Sequence, residues 1–270
     1  MILGLTSIQR NRGPWLAEWF AFHHMLGFNR FYFYAHMCTD NTIQILQLLS
    51  RKLDIKLVAI NEPMDRVQLV AYQHSIQNYM NDVDWMAFID GDEFLFPTHC
   101  DTFPEALAPY ENQSLSAIGV YNVTFGSSGH LTEPEGLITE NFRRCNSSPE
   151  FLANRRVKSI VKGRQPVSVT ACSNVFNTEG GTFDEDGRPI TWGWAKDNVP
   201  TYSKFRFNHY ICQSYQYFQS FKQKSGHADA GAGNVRPDEW WTNFDQNVEF
   251  DTSLERYAAK LRDTLIWLLN

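Results

Sequence analysis

The segment Trp85-Met86-Ala87-Phe88-Ile89-Asp90-Gly91-Asp92-Glu93-Phe94-Leu95-Phe96 runs apolar, breaks on three acids and turns apolar again. A continuous apolar run of this kind reads as a strand buried in a sheet, delivering Asp90 and Asp92 to one point at its end. Burying such carboxylates without a partner costs several kcal/mol each, so a cation or a polar ligand is expected there. Hard divalent ions such as Mn²⁺ and Mg²⁺ favour carboxylate oxygens and commonly hold substrate phosphates. The segment is therefore read as a metal-diphosphate site.

Its place along the chain narrows the fold. The 270 residues, 43% of them hydrophobic, suit one large domain. Strand-like Ile2 to Thr6 leads through a polar turn to a helix opened by Pro14, with Leu16, Trp19, Phe20 and His23 at helical spacing. Arg30 to Tyr34 reads as a second strand, Thr39-Asp40-Asn41 as a helix cap, and Ile55 to Ala59 as a third strand. A helix with Leu69, Tyr72, Ile76 and Met80 on one face precedes the acidic segment. Three β-α steps before Asp90 predict an α/β fold with a largely parallel sheet, whose ligands gather at the carboxyl ends of the strands. Beyond Pro97, shorter strands at Leu115 to Thr124 and Val157 to Val161 alternate with polar loops.

The formal charge of -6 argues against a broad nucleic-acid surface. The five cysteines form no CxxC pair, which fits free thiols in a reducing compartment; with no charged leader and no long apolar run, a cytoplasmic protein is expected. A C-terminal amphipathic helix carries Leu254, Tyr257, Leu261, Leu265 and Leu268 on one face. It is expected to pack on the domain, with peripheral membrane contact through Ile266-Trp267-Leu268-Leu269 as the alternative.

An ordered set of motifs spans most of residues 1–225. It comprises Trp15-Leu16-Ala17-Glu18-Trp19, His23, Leu26-Gly27, Tyr32-Phe33-Tyr34, Asp40-Asn41-Thr42, Gln68 with Ala71-Tyr72, and Phe88 to Leu95. Phe125-Gly126-Ser127-Ser128-Gly129-His130, Lys158 to Lys162 and Asn208-His209-Tyr210 complete it. The set resembles glycosyltransferases of the family-92 type and their family-2-like relatives. That resemblance implies a GT-A fold, a Rossmann-like mixed sheet flanked by helices, with residues 1–97 binding a nucleotide sugar. Residues 98–270 then form a loop-rich acceptor-binding half ending in the C-terminal helix. It also implies a nucleotide-diphosphate sugar donor, UDP-galactose first, and transfer with inversion to a glycan or glycolipid acceptor.

Carried onto this chain, the resemblance makes Asp90, Asp92 and His209 the metal ligands for Mn²⁺ or Mg²⁺. The donor contacts are then Arg10, Arg12, Asp40, Gln68, Asp90, Gly91, Asp92, Ser127, Ser128 and His130. The chain departs from its relatives at two positions expected to face the nucleotide: Arg12 where they commonly carry Glu, and Ala35 where they commonly carry Asp. A carboxylate base is sought among Glu133, Glu135, Glu179, Asp197 and Asp229. Asp197 follows the aromatic Trp192-Gly193-Trp194, and Asp229 lies in a glycine-rich stretch read as a lid. An aspartate-dependent phosphohydrolase and a non-catalytic carbohydrate-binding protein stand as alternatives.

Overall fold

Strand β1 (Leu3–Gln9) is buried along its whole length in the computed structural model, which describes residues 1–225 and 235–270. It lies between two parallel neighbours, β2 (Arg30–His36) and β4 (Trp85–Phe88), and β2 is followed by β3 (Asp54–Ile60) at the sheet edge. A central strand covered on both faces has no polar side, which explains the near-continuous apolar runs of β1, β2 and β4. β3, covered on one side only, alternates in exposure.

The later strands extend this sheet beyond β4 through antiparallel pairings. β8 (Val157–Lys162) runs antiparallel to β4, and β6 (Ala117–Phe125) antiparallel to β8, giving the order β6-β8-β4-β1-β2-β3. β5 (Glu93–Pro97) leaves the sheet path and pairs antiparallel with Phe205–His209, a strand that also pairs parallel with β6. β7 (Arg144–Asn146) joins the end of β6. The architecture is the mixed α/β sheet flanked by helices that the sequence implied.

The acidic segment differs from expectation in one respect. It forms two strands, β4 and β5, separated by the turn that holds Asp90 to Asp92. Phe94 to Phe96 are apolar because β5 is buried against other elements, not because β4 continues.

Helix α1 (Gly13–Met25) buries Leu16, Trp19 and Phe20 in the core, with Phe20 packed against Phe31 and Phe33 of β2. Each fully buried Phe contributes about 2 kcal/mol from apolar burial. The entries to α1 and to α2 (Thr42–Leu49) share one cap: Asp40 Oδ2 accepts from Gly13 N and Oδ1 from Thr42 N, both at 3.0 Å. A Cβ at position 13 would lie 1.9 Å from Asn41 Oδ1, so any larger residue there would have to displace that exposed side chain. α3 (Val67–Tyr79) covers the other face with Val67, Ala71, Tyr72 and Ile76.

His23 is wholly buried. Its Nδ1 bonds the Trp19 carbonyl at 2.8 Å and its Nε2 accepts from Leu95 N at 3.2 Å, an arrangement that requires the neutral ring protonated on Nδ1. Burial lowers its pKa to about 3, against the raising effect of the Trp19 carbonyl. This one imidazole fixes β5 to α1.

The C-terminal helix Ala258–Leu269 packs against α1 through buried Leu261 and Leu268, while Trp267 stacks on His24 with ring centroids 5.5 Å apart. No helix among the described residues is long and apolar enough to cross a membrane. All five cysteines are free thiols.

Candidate active site

The turn between β4 and β5 is built around Gly91. A Cβ there would meet the Gln9 side chain at 2.4 Å, so glycine lets the end of β1 close against the turn. Asp90 N donates to Glu93 Oε2 at 2.8 Å while Glu93 N donates to Asp90 O at 3.2 Å, a reciprocal lock across the turn. Arg12 clamps it from above: its guanidinium donates to Gly91 O at 3.0 Å, to Gln213 Oε1 at 3.0 Å and to Tyr217 OH at 2.6 Å. The same guanidinium lies 4.4 Å from the Trp15 ring centroid.

The turn sends the two aspartates to different partners. Asp90 accepts from Gln68 Nε2 at 2.6 Å and from Lys158 Nζ at 2.8 Å. Lys158 also lies 3.3 Å from Glu93 Oε2. Burial works to neutralise this lysine, but the Asp90 and Glu93 charges prevail and hold its pKa well above the ordinary value. Burial and the neighbouring aspartates push the Glu93 carboxyl up, against the attraction of Lys158.

Asp92 is nearly buried, and Lys222 Nζ contacts its Oδ2. Its Oδ1 faces His209 Nε2 at 3.6 Å. The strand register explains the second contact, because His209 is the direct partner of Glu93 and Tyr210 N donates to Asp92 O at 2.9 Å. Burial pushes the Asp92 carboxyl up, but Lys222, His209 and Arg12 overcome it and leave the pKa well below the usual carboxylate range. Burial lowers the His209 pKa, against the pull of Asp92.

These groups form the floor of a cleft of about 830 Å³. Seven Arg and Lys side chains line it (Arg10, Arg12, Arg156, Lys158, Lys222, Lys224 and Arg236) against the three carboxylates Asp90, Asp92 and Glu93. In a chain of formal charge -6, that local excess of cations suits an anionic ligand. Trp192 and Trp194, 50% and 38% exposed, form part of the cleft wall, as do Ser173 and Asn174.

Among the described residues, no group of three His, Cys, Asp or Glu side chains is arranged to hold a metal ion. An ion that completes its shell with phosphate oxygens and water needs only one or two protein donors, and Asp92 with His209 meets that need. Asp90 turns its carboxylate toward Gln68 and Lys158 instead.

Of the donor contacts expected from sequence, Arg10, Arg12, Gln68, Asp90, Gly91 and Asp92 line the cleft together with His209. Asp40 does not line it, and its carboxylate caps the two helices. Ser127, Ser128 and His130 also lie off it. Ser127 N and Ser128 N donate to Asp245 and Asn247, Ser128 Oγ accepts from Arg143 N and Arg144 N, and His130 Nε2 lies 3.2 Å from Asn141 O. That turn knots three stretches of chain together.

Arg12 lines the cleft, whereas Ala35 is buried in the core on β2. Glu133 sits between Trp15 Nε1 and Ser214 Oγ, while Glu135, Glu179 and Asp197 are exposed; none of the four lines the cleft. Asp229 and the glycine-rich stretch read as a lid lie outside the described residues. Sequence reasoning gave no role to Lys158, Gln213, Tyr217 or Lys222. Only Lys158 carried a local signal, a lone lysine in the apolar run Val157 to Val161.

The family model described as glycosyltransferase family 92 matches residues 5–262. A family-92 protein of Ricinus communis is 27% identical over 279 residues, covering 97% of this chain and 49% of its own length. One from Arabidopsis thaliana is 26% identical over 165 residues, covering 56% of this chain and 27% of its own. The chain thus spans half or less of these curated relatives. Among solved structures, S. aureus TarS 1-349 in complex with UDP-GlcNAc aligns over 100% of this chain and 72% of that one, at 12% identity and a TM-score of 0.47.

Proposed function

The chain belongs to glycosyltransferase family 92, and from that membership we propose that it transfers a sugar from a nucleoside-diphosphate donor to a glycan or glycolipid acceptor. The observation that carries this reading is the convergence of Asp92, His209 and a majority of cationic side chains on one cleft at the carboxyl ends of β1 and β4. UDP-galactose is the first donor to test.

Sugar transfer builds positive charge on the ring and negative charge on the departing diphosphate. When bound, Mn²⁺ or Mg²⁺ supplies charge to that leaving group, with Asp92 and His209 as its protein ligands. Arg12 keeps the Gly91 carbonyl and the turn fixed, so Asp92 needs little rearrangement to act. Lys158 compensates Asp90 and Glu93 at the base of the turn. Trp192 and Trp194 offer ring faces of the kind that hold a sugar, which supports the acceptor on that wall.

Direct displacement with inversion needs one further carboxylate to take the acceptor proton. Lys158 and Lys222 already engage the floor acids, so the base is sought among other carboxylates, starting with Asp197 and Asp229.

The test is calorimetric binding of UDP-galactose and other nucleotide sugars with and without Mn²⁺, repeated with Asp92→Asn. Metal-dependent binding that the variant loses supports the reading. Absence of any metal-dependent nucleotide-sugar binding overturns it, and an Asp92→Asn protein that binds as well as the wild type overturns the role of Asp92.

A further inference from the structure

Lys222 closes a π-helical turn, Phe218–Lys222, a backbone form that recurs at functional sites. Its ammonium contacts one oxygen of Asp92 while His209 faces the other. The two side chains are 15% and 8% exposed, so the pair is largely withdrawn from water. Residues just before it in sequence, Gln213 and Tyr217, are the ones that hold Arg12. Lys222 is therefore presented by a stretch already tied to the acidic turn.

An ammonium in that position has two opposing effects. It neutralises Asp92 and repels any divalent ion approaching the Asp92 and His209 pair. It is also a strong donor for phosphate oxygens, carried on a four-carbon stem that can pass its charge between neighbouring anions without moving the backbone.

We propose that Lys222 is a nucleoside-diphosphate ligand that occupies Asp92 until the donor arrives, so that metal and diphosphate enter together and not metal first. The assignment rests on the transfer reading above and deepens it. It makes Lys222 a counter-ion handed from a carboxylate to a substrate phosphate.

The experiment compares wild type, Lys222→Gln and Lys222→Arg, reading free Mn²⁺ binding by electron paramagnetic resonance and UDP binding at saturating Mn²⁺ by calorimetry. Lys222→Gln is expected to bind free Mn²⁺ about fivefold more tightly, yet to bind UDP about tenfold more weakly, the loss of one charge-assisted bond. Lys222→Arg keeps the charge and should stay close to wild type in both. A residue that only supports the fold would move the two affinities in the same direction. That outcome, or no change in either, overturns the assignment while wild-type binding still stands. A wild type that binds no UDP at saturating Mn²⁺ instead overturns the transfer reading, and the Lys222 assignment with it.

Discussion

Lys158 on β8 places its ammonium 2.8 Å from Asp90 Oδ2, joining positions 68 residues apart in sequence. The lysine side chain is only 6% exposed, and 3.3 Å from Nζ lies the buried carboxylate of Glu93. One cation thus compensates two acids of the turn that carries Asp92.

Removing that cation strands buried charge. Lys158→Met should cost about 3 kcal/mol of stability in urea unfolding, the scale seen when one partner of a buried pair is deleted. Adding Glu93→Gln to Lys158→Met should recover part of the loss, because the double variant no longer buries the glutamate. Simple additivity of the two changes would show that Lys158 and Glu93 are not energetically coupled.

His23 predicts a pH dependence. Its folded pKa lies near 3, far below its ordinary value of 6.5, so the unfolded chain binds a proton that the folded chain refuses. Stability from this residue is complete above pH 6.5 and falls as pH drops from there toward 3, by up to ~1.4 kcal/mol per pH unit. His24, His36 and His209 are also lowered and add to the slope. His23→Gln should reduce the slope between pH 6.5 and 5 by about one proton. Urea midpoints at several pH values read it directly, and an unchanged slope would refute the assignment.

Gly91 predicts a paired substitution. Gly91→Ala forces a Cβ against the Gln9 side chain and should destabilise by about 1 to 2 kcal/mol, since Gln9 has a flexible end but little room to move. Gly91→Ala combined with Gln9→Ala should regain most of that loss. Failure of the second change to rescue would place the strain in the backbone of the turn and not in the Gln9 contact.

Arg12 predicts a failed conservative replacement. Three directed hydrogen bonds and a ring contact depend on the planar guanidinium, and a lysine ammonium cannot reproduce the fork. Arg12→Lys should therefore weaken UDP binding about tenfold, close to the effect of Arg12→Met. Calorimetry with both variants decides it: full affinity in Arg12→Lys would reduce the role of Arg12 to its charge.

The parts of the fold legible in the sequence are those set by short-range rules. The apolar runs of β1, β2 and β4, Pro14 in the first turn of α1 and Asp40 before α2 all declare themselves within a few residues. The split of the acidic segment into β4 and β5 was not legible, because a buried strand that leaves one sheet for other partners carries the same apolar signature as one that continues. Ser127, Ser128 and His130 had the composition of a ligand loop, yet their hydrogen bonds hold Asp245, Asn247 and Asn141. Composition cannot tell a chain from a ligand as the partner of a hydroxyl or an amide.

By itself, the sequence determined that Asp90, Gly91 and Asp92 stand at the end of a buried strand after three β-α steps, since periodicity and turn chemistry are local. Tertiary structure alone decided which cation meets which carboxylate: Lys158 with Asp90 across β8, and Lys222 with Asp92 across 130 residues of chain. The physical reason is that a charge in a low-dielectric interior is governed by its nearest few ångströms. Strand order and register, which no local pattern encodes, choose those neighbours.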